Sequence, residues 1–337
     1  MLHPYKVTIK EFIEPSSPPK SVLCIVNPFS GKKKGLEALN RFKSVLEGAN
    51  VNVKVIKTTH AGHCGEICQA ENLEGIDVVA PIGGDGTVHE AVNGLLKRSD
   101  DEIKRVILVV VPAGSGNTFA FDLGISSPEH SAKLILNSKY RIIDVAKLTA
   151  IDEQRNKLVD VEPIYSVNMI GWALASKVMK TANSYRRYGL GAQYNLAIYK
   201  YILSNDRYKV KLTYLNESGD ELKKEGAVAV LNIQNTVHIG SKTPLIPKAL
   251  IDDGFLDMVI MENRGVLTNI KTFNLSQQGK HTERKQISFE KVQKVYLEPS
   301  DERLRGRNTV NIDGELIGYS PCLIEVCPAA LKVFSSS

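Results

Sequence analysis

The chain has 337 residues, of which 43% are hydrophobic, 24% charged and 7% aromatic; this balance excludes a disordered or fibrous chain and exceeds the needs of one average domain. Lys and Arg outnumber Asp and Glu by 43 to 37, a net charge of +6, too small to mark a nucleic-acid binder unless it is concentrated somewhere. No apolar run approaches the roughly 20 residues of a membrane span, and none of signal-peptide type stands near Met1.

Residues 5–13 alternate well enough for a strand, and EPSSPPK over 14–20 breaks it as a short linker. Residues 22–26 form a continuous apolar run ending in Asn27-Pro28, as a buried parallel strand does. Leu36, Leu39, Phe42, Val45 and Leu46 recur at helical spacing. A strand over 51–56, a helix over about 61–71, a strand over 77–82, a helix over 87–96 and a strand over 106–112 follow. Alternating βα units with apolar strands predict a parallel, doubly wound sheet. Beyond Ile143 the pattern changes to period-2 segments at 209–215, 228–233, 256–261 and 294–298. Helical stretches near 193–203 and 266–279 interrupt them. This predicts an antiparallel β domain with insertions and a boundary near residue 147. Five cysteines, an odd number, suit a reducing compartment without a disulfide framework. The expectation is a soluble, cytoplasmic protein of two domains.

Three glycine-rich turns fall at C-terminal ends of predicted strands. They are NPFSGKKKG over 27–35, GGDGT over 83–87 and PAGSGN over 112–117. In an open α/β sheet that edge is where ligands bind. Glycines let backbone N–H groups approach anionic oxygens, and helix N-termini add a favourable dipole. Lys32, Lys33 and Lys34 add charge beside the first turn. One such turn is an ordinary βα connection. Three on one edge, with Asp85 held between glycines, point to a phosphate-bearing ligand. Neither dinucleotide nor Walker A spacing occurs.

The three turns in this order, followed by NIDGE over 311–315, resemble the diacylglycerol kinase, sphingosine kinase and ceramide kinase superfamily of lipid kinases, over about residues 20–330. GGDGTVHEAVNGL and PAGSGNTFAFDLG carry the likeness. His89-Glu90 and YRRYG over 185–189 lean toward the sphingosine and ceramide branch. The resemblance implies an α/β nucleotide domain like that of NAD kinases and phosphofructokinases, plus an antiparallel β-sandwich lipid domain. The chain would then divide into an N-terminal strand and linker over 1–19, a nucleotide-binding domain over 20–147 and a lipid-binding domain over 148–337.

Phosphoryl transfer to an alcohol needs a charge cradle for the triphosphate, a divalent metal and a base beside the acceptor hydroxyl. The resemblance therefore implies ATP and Mg2+, with Asp85 orienting or deprotonating the acceptor. It implies that Asp313 and Glu315 return to the cleft as a second acidic pair that helps hold metal or phosphate. Read alone, Asp313-Gly314-Glu315 is equally an ordinary hairpin turn, and which carboxylate is the base stays open. The implied nucleotide contacts run through Asn27 and Pro28, Thr58, the second turn (Gly83, Gly84, Asp85, Gly86, Thr87), Glu90, the third turn (Gly114, Ser115, Gly116, Asn117), Arg186, and Asp313, Gly314 and Glu315. Met179 and Tyr185 fall on the implied lipid side. In sphingosine kinases an Asp six residues before the Arg of the YRR-type motif meets the substrate's amine. Met179, the aligned residue here, and Lys180, six before Arg186, are not acidic, and Lys177 stands nearby. Lysines repel an amine, so a neutral lipid alcohol is expected over a free sphingoid base.

Between residues 177 and 211 stand eight Lys or Arg, one acid (Asp206) and six tyrosines. Such a mixture suits an anionic membrane interface or stacking on RNA. An enzyme that extracts a water-insoluble lipid favours the membrane, as a peripheral contact, with no nucleic-acid partner. HAGHCGEIC, with His60, His63, Cys64 and Cys68, has zinc-ligand residue types but lacks the usual second pair. Cys322 and Cys327 read as buried strand thiols and His281 as a solvated loop residue. Two other functions fit parts of the pattern. One is a non-catalytic lipid or nucleotide sensor on this fold. The other is an NAD-kinase-like enzyme, which explains GGDGT but not the other turns.

Overall fold

The computed structural model describes residues 12–186, 193–240 and 242–336, and side chains within 183–193 are left aside. The first half alternates strands and helices as follows: β1 (Ser21–Val26), α1 (Ser30–Lys33), α2 (Gly35–Glu47), β2 (Asn52–Lys57), α3 (His63–Ala70), β3 (Val78–Gly83), α4 (Asp85–Leu96), β4 (Ile107–Leu108), β5 (Val111–Pro112), α5 (Thr118–Asp122) and α6 (Pro128–Asn137). β1 pairs in parallel with β2 on one side and β3 on the other, and β3 pairs with β4 and β5. The centre of this sheet is covered on both faces, which is why β1 and β3 are uninterrupted apolar runs.

The strand expected over 106–112 is two short pieces. Pro81 in the middle of β3 has no N–H to donate, so the ladder breaks opposite it. Next to the break, the Val110 carbonyl accepts from Ser131 Oγ at 2.8 Å. Most of the strand expected over 5–13 lies outside the described residues; its last residue, Ile13, forms an isolated bridge with Tyr140.

The second half is antiparallel. It contains β6 (Tyr140–Ala150), β7 (Ile164–Ser166), β8 (Met169–Ala173), α7 (Leu174–Arg186), α8 (Gln193–Ser204), β9 (Tyr208–Asn216), β10 (Glu221–Gln234), β11 (His238–Ile239), β12 (Thr243–Pro244), β13 (Leu256–Glu262), α9 (Val266–Ser276), β14 (Ile287–Pro299), β15 (Gly306–Ile312), β16 (Glu315–Ser320) and β17 (Cys322–Phe334). The long strands β10 and β14 each pair with β9 along one half and with β13 along the other. That exchange folds the sheet over a core of Trp172, Leu212, Tyr214, Ile233, Met258, Val295 and Ile324.

The chain crosses between the halves along β6 and β17, which pair over most of their length. The far end of β17 rejoins the parallel sheet at Val333, beside Leu108. There Leu331, Val333 and Phe334 are buried in the first core. His281, expected to be solvated, is fully buried with Nε2 donating to the Leu245 carbonyl at 2.8 Å. Burial lowers its pKa. Cys322 is buried as expected, with its thiol pushed well up by burial, whereas Cys327 is half-buried.

Candidate active site

Strand order alone brings the three glycine turns to one edge, and their contacts show why the residues are glycines. A Cβ on Gly31, whose φ is +55°, would stand 2.0 Å from the Ala113 carbonyl oxygen. A Cβ on Gly114 would stand 2.4 Å from the Gly84 Cα. Real Cβ atoms do not approach backbone that closely, so the first turn packs on the third and the third on the second only because side chains are missing. Asn117, in the left-handed region at φ +52°, closes the third turn. Its Oδ1 accepts from Gly114 N and its Nδ2 donates to Gly114 O, each at 2.9 Å.

Asp85 opens α4 where these turns meet. Its Oδ1 accepts from Phe119 N at 3.2 Å, and Oδ2 lies 2.9 Å from where a Cβ on Gly116 would be. Burial pushes its carboxyl above the ordinary value. The Asp313 charge adds to that shift, while the amide N–H groups of Phe119, Thr118 and Asn117 oppose it.

A cleft of about 370 Å³ runs along this edge. Of the expected residues, Asn27, Thr58, Gly84, Gly86, Thr87, Glu90 and Glu315 line it. Phe29, Ser30, His60 and Cys64 line it too, although the sequence singled out Phe29 and Ser30 only as part of the first turn. Glu315 is exposed, and its Oε1 lies against Gly86. Ser115 and Gly116 are exposed at the tip of the third turn. The side chains of Tyr185 and Arg186 lie outside the description, as does Arg187.

Two expected carboxylates are already engaged. Glu90 faces the helix beside it, accepting from Gly62 N at 2.8 Å and Cys64 N at 3.2 Å, and so caps the N-terminus of α3. Asp313 is buried. Its Oδ1 accepts from Ser166 Oγ at 2.6 Å and from Asn168 N and Met169 N, each at 3.0 Å. Its Oδ2 accepts from His89 Nδ1 at 2.9 Å and Val167 N at 3.3 Å. Burial pushes this carboxyl up, yet His89, Ser166 and the Met169 amide outweigh burial and hold it below the ordinary value. A carboxylate with both oxygens so occupied is a joint between the halves. Glu315, two residues on, is the member of the pair that reaches the cleft.

The sequence reading missed a second joint of this kind. His238 Nδ1 meets Asp122 Oδ1 at 2.5 Å in a buried pair that ties α5, directly after the third turn, to β11. The partners are 116 residues apart, and nothing local announces them. The HAGHCGEIC segment is likewise occupied. The rings of His60 and His63 stack at 4.6 Å. The Cys64 thiol is held well above its ordinary value by its hydrogen bond with Cys68 and by burial. Among the described residues no three His, Cys, Asp or Glu side chains gather as a metal-binding group.

Met179, expected on the lipid side, is buried within α7. The expected charge repulsion is altered by tertiary contacts: Lys177 Nζ pairs with Asp206 at 2.9 Å and sits over the Tyr208 ring at 4.8 Å. Three of the described tyrosines are likewise engaged. Tyr208 is buried, Tyr201 OH bonds Thr181 Oγ1 at 2.7 Å, and Tyr199 packs edge-on against Phe273 of α9. Lys180, Lys200, Arg207, Lys209 and Lys211 are exposed, and leucines are exposed as well. Leu196 and Leu203 of α8 are 49% and 64% exposed, and Leu267 of α9 is 85% exposed. No described helix is long and apolar enough to cross a membrane.

Residues 21–148 match the diacylglycerol kinase catalytic domain, and residues 168–335 match the YegS C-terminal NAD kinase beta sandwich-like domain. Sphingosine kinase 2 of Arabidopsis thaliana is 24% identical, over 92% of this chain and 71% of its own length. Diacylglycerol kinase of Bacillus subtilis is 25% identical, over 90% of this chain and 92% of its own. The crystal structure of a diacylglycerol kinase from Bacillus anthracis superposes with a TM-score of 0.72 at 24% identity, covering 95% of this chain and 99% of that one. That likeness establishes the shared fold.

Proposed function

The chain belongs to the diacylglycerol kinase, sphingosine kinase and ceramide kinase superfamily of lipid kinases, and within it we propose that the enzyme transfers the γ-phosphoryl group of ATP to the hydroxyl of a neutral long-chain lipid alcohol, with Asp85 as the base. The observation that carries this reading is the convergence of three glycine turns on one acidic residue. Backbone N–H groups freed by missing side chains suit an anionic triphosphate. Asp85 accepts from the Phe119 amide at the start of α5, beside the second and third glycine turns, a position that suits a base acting on the acceptor hydroxyl. A carboxyl raised by burial also holds a proton more readily, which suits a base acting near neutral pH.

Mg2+ accompanies ATP in such chemistry. Glu315, exposed at the cleft against Gly86, is a hard oxygen donor of the kind that holds Mg2+ jointly with substrate phosphates and water, without an all-protein cage. When bound, the ion neutralises charge on the transferring group. The residues of the chain then divide the work. Gly84, Gly86, Gly114, Ser115 and Gly116 accommodate the phosphates, Asn117 keeps the third turn closed, and Asp85 takes the acceptor proton.

The neutral head group is inferred from Met179, where a sphingosine-type site would offer an acid. Lys177 no longer supports the inference, because Asp206 neutralises it. Contact with the bilayer is assigned to Leu196, Leu203 and Leu267, with Lys200 between the two α8 leucines. Apolar side chains next to a cation suit a headgroup boundary. Labelled ATP offered with a panel of diacylglycerol, ceramide, sphingosine and NAD tests the proposal. Labelling of a neutral lipid is expected; labelling of sphingosine alone, or of NAD alone, overturns it.

A further inference from the structure

Helix α4 carries Asp85, His89 and Asn93 at intervals of four, so all three share one face. The last two reach across to the antiparallel half. His89 Nδ1 meets Asp313 Oδ2 at 2.9 Å, with only 8% and 4% of the two side chains exposed. Asn93 makes a reciprocal pair with the backbone of Tyr165, donating through Nδ2 to the carbonyl at 2.8 Å and accepting through Oδ1 from the amide at 2.9 Å. Asn93 Nδ2 also donates to the His89 carbonyl at 3.0 Å, which links the two contacts. The β15–β16 turn that carries Asp313 is pinned in turn by Ser166, Asn168 and Met169, and it sets Glu315 against Gly86.

The hydrogen bond to Asp85 Oδ1 comes from Phe119 of the first half. It fixes the carboxylate relative to the glycine turns and does nothing to fix it relative to the half that faces the lipid. We propose that His89 and Asn93 are positioning residues that register α4, and with it Asp85, against the antiparallel half, so that the base is aligned on the acceptor hydroxyl. This rests on the assignment of Asp85 as the base. A carboxylate displaced by about 1 Å loses on the order of 10² in rate without any loss of nucleotide binding. Leverage is short: Asp85 is one helical turn from the His89 contact, about 6 Å along the axis.

The test uses the full chain, with ATP and mixed micelles of dioctanoylglycerol or short-chain ceramide. His89→Ala is expected to lower kcat about 10- to 100-fold while ATP affinity by calorimetry stays within about twofold. His89→Asn is expected to recover kcat, because its Nδ2 occupies the place of the imidazole Nδ1 and can still donate to Asp313. In an Asp85→Asn background, His89→Ala should cost nothing further, since residues acting through one group are not additive. His89→Leu, which fills the space without the hydrogen bond, replaces the alanine variant if that does not fold.

Equal losses with and without Asp85 overturn the proposal in favour of a purely structural joint. So does an Asn variant that melts like the parent but turns over no better than Ala or Leu. Failure of the underlying assignment looks different: Asp85→Asn itself would keep turning over, and the positioning role falls with it.

Discussion

The glycine edge of the parallel sheet and the helical cover of the antiparallel half are built on opposite principles. At the edge, backbone meets backbone at distances no side chain permits, as between Gly31 and Ala113 or Gly114 and Gly84. On α7, α8 and α9 the contacts run through side chains, such as Lys177 with Asp206 and Tyr199 with Phe273, and leucines are left facing outward. Under the proposed function the first region receives a chain of phosphates, a ligand of one shape. The second presents apolar side chains, so any contact made through it under the proposed function would scale with apolar area. Substitutions should therefore be all-or-none at the edge and graded on the helices.

The largest effect is expected at Asp85. Asp85→Asn should lower kcat by about 10² to 10⁴ without lowering the melting temperature. The sign follows from burial: a folded-state pKa raised above the unfolded value adds stability below the unfolded pKa, and that stability is lost as pH rises through the folded one. At pH 7.5 the buried charge therefore opposes folding, and the Asn variant should melt at the same temperature or higher. In the parent, the acidic limb of kcat/KM should lie above the ordinary carboxylate value of 3.8 and should vanish with the Asn variant. A variant that melts early would show that Asp85 is held for structure.

Gly114→Ala comes next. Its Cβ would meet the Gly84 Cα at 2.4 Å, forcing the second and third turns apart, and kcat/KM for ATP should fall roughly 10²-fold. Gly116→Ala, whose Cβ would meet Asp85 Oδ2 at 2.9 Å, sharpens the comparison. It should lower kcat about 10-fold and weaken ATP affinity less than Gly114→Ala does. Equal effects of the two variants on ATP affinity would contradict this division of labour along the turn.

On the helices, replacing Leu196, Leu203 and Leu267 together by Glu should weaken sedimentation with phosphatidylserine vesicles about 10-fold, with single replacements giving partial losses. Unchanged binding would move the contact elsewhere. The smallest effect belongs to Lys177→Met. Its partner Asp206 is part-exposed, such pairs contribute about 0–1 kcal/mol, and the charge is already neutralised. Stability by denaturant titration and the salt dependence of vesicle binding should therefore shift little.

Sequence alone was sufficient where chemistry is local. The buried strands at Ser21–Val26 and Val78–Gly83 and the amphipathic helix Gly35–Glu47 were legible because period and apolarity are properties of neighbouring residues. The glycine turns were legible for a related reason, since a missing Cβ is visible without knowing what approaches it. Strands β10 and β14 extend to 14 and 13 residues, well beyond the segments the alternation marked. Their outer parts are only partly covered, so solvent leaves little pattern there.

What tertiary structure alone decided is which charged groups remain available. Glu90, Asp313 and Lys177 are each spent on a partner 26 to 224 residues away, and His281 is drawn into the interior by a carbonyl 36 residues distant. A carboxylate in the sequence has the same identity whether it faces phosphate or a buried imidazole. Only the folded arrangement, which sets its burial and its hydrogen-bond donors, separates Asp85, poised at the glycine edge, from Asp313, locked beneath it.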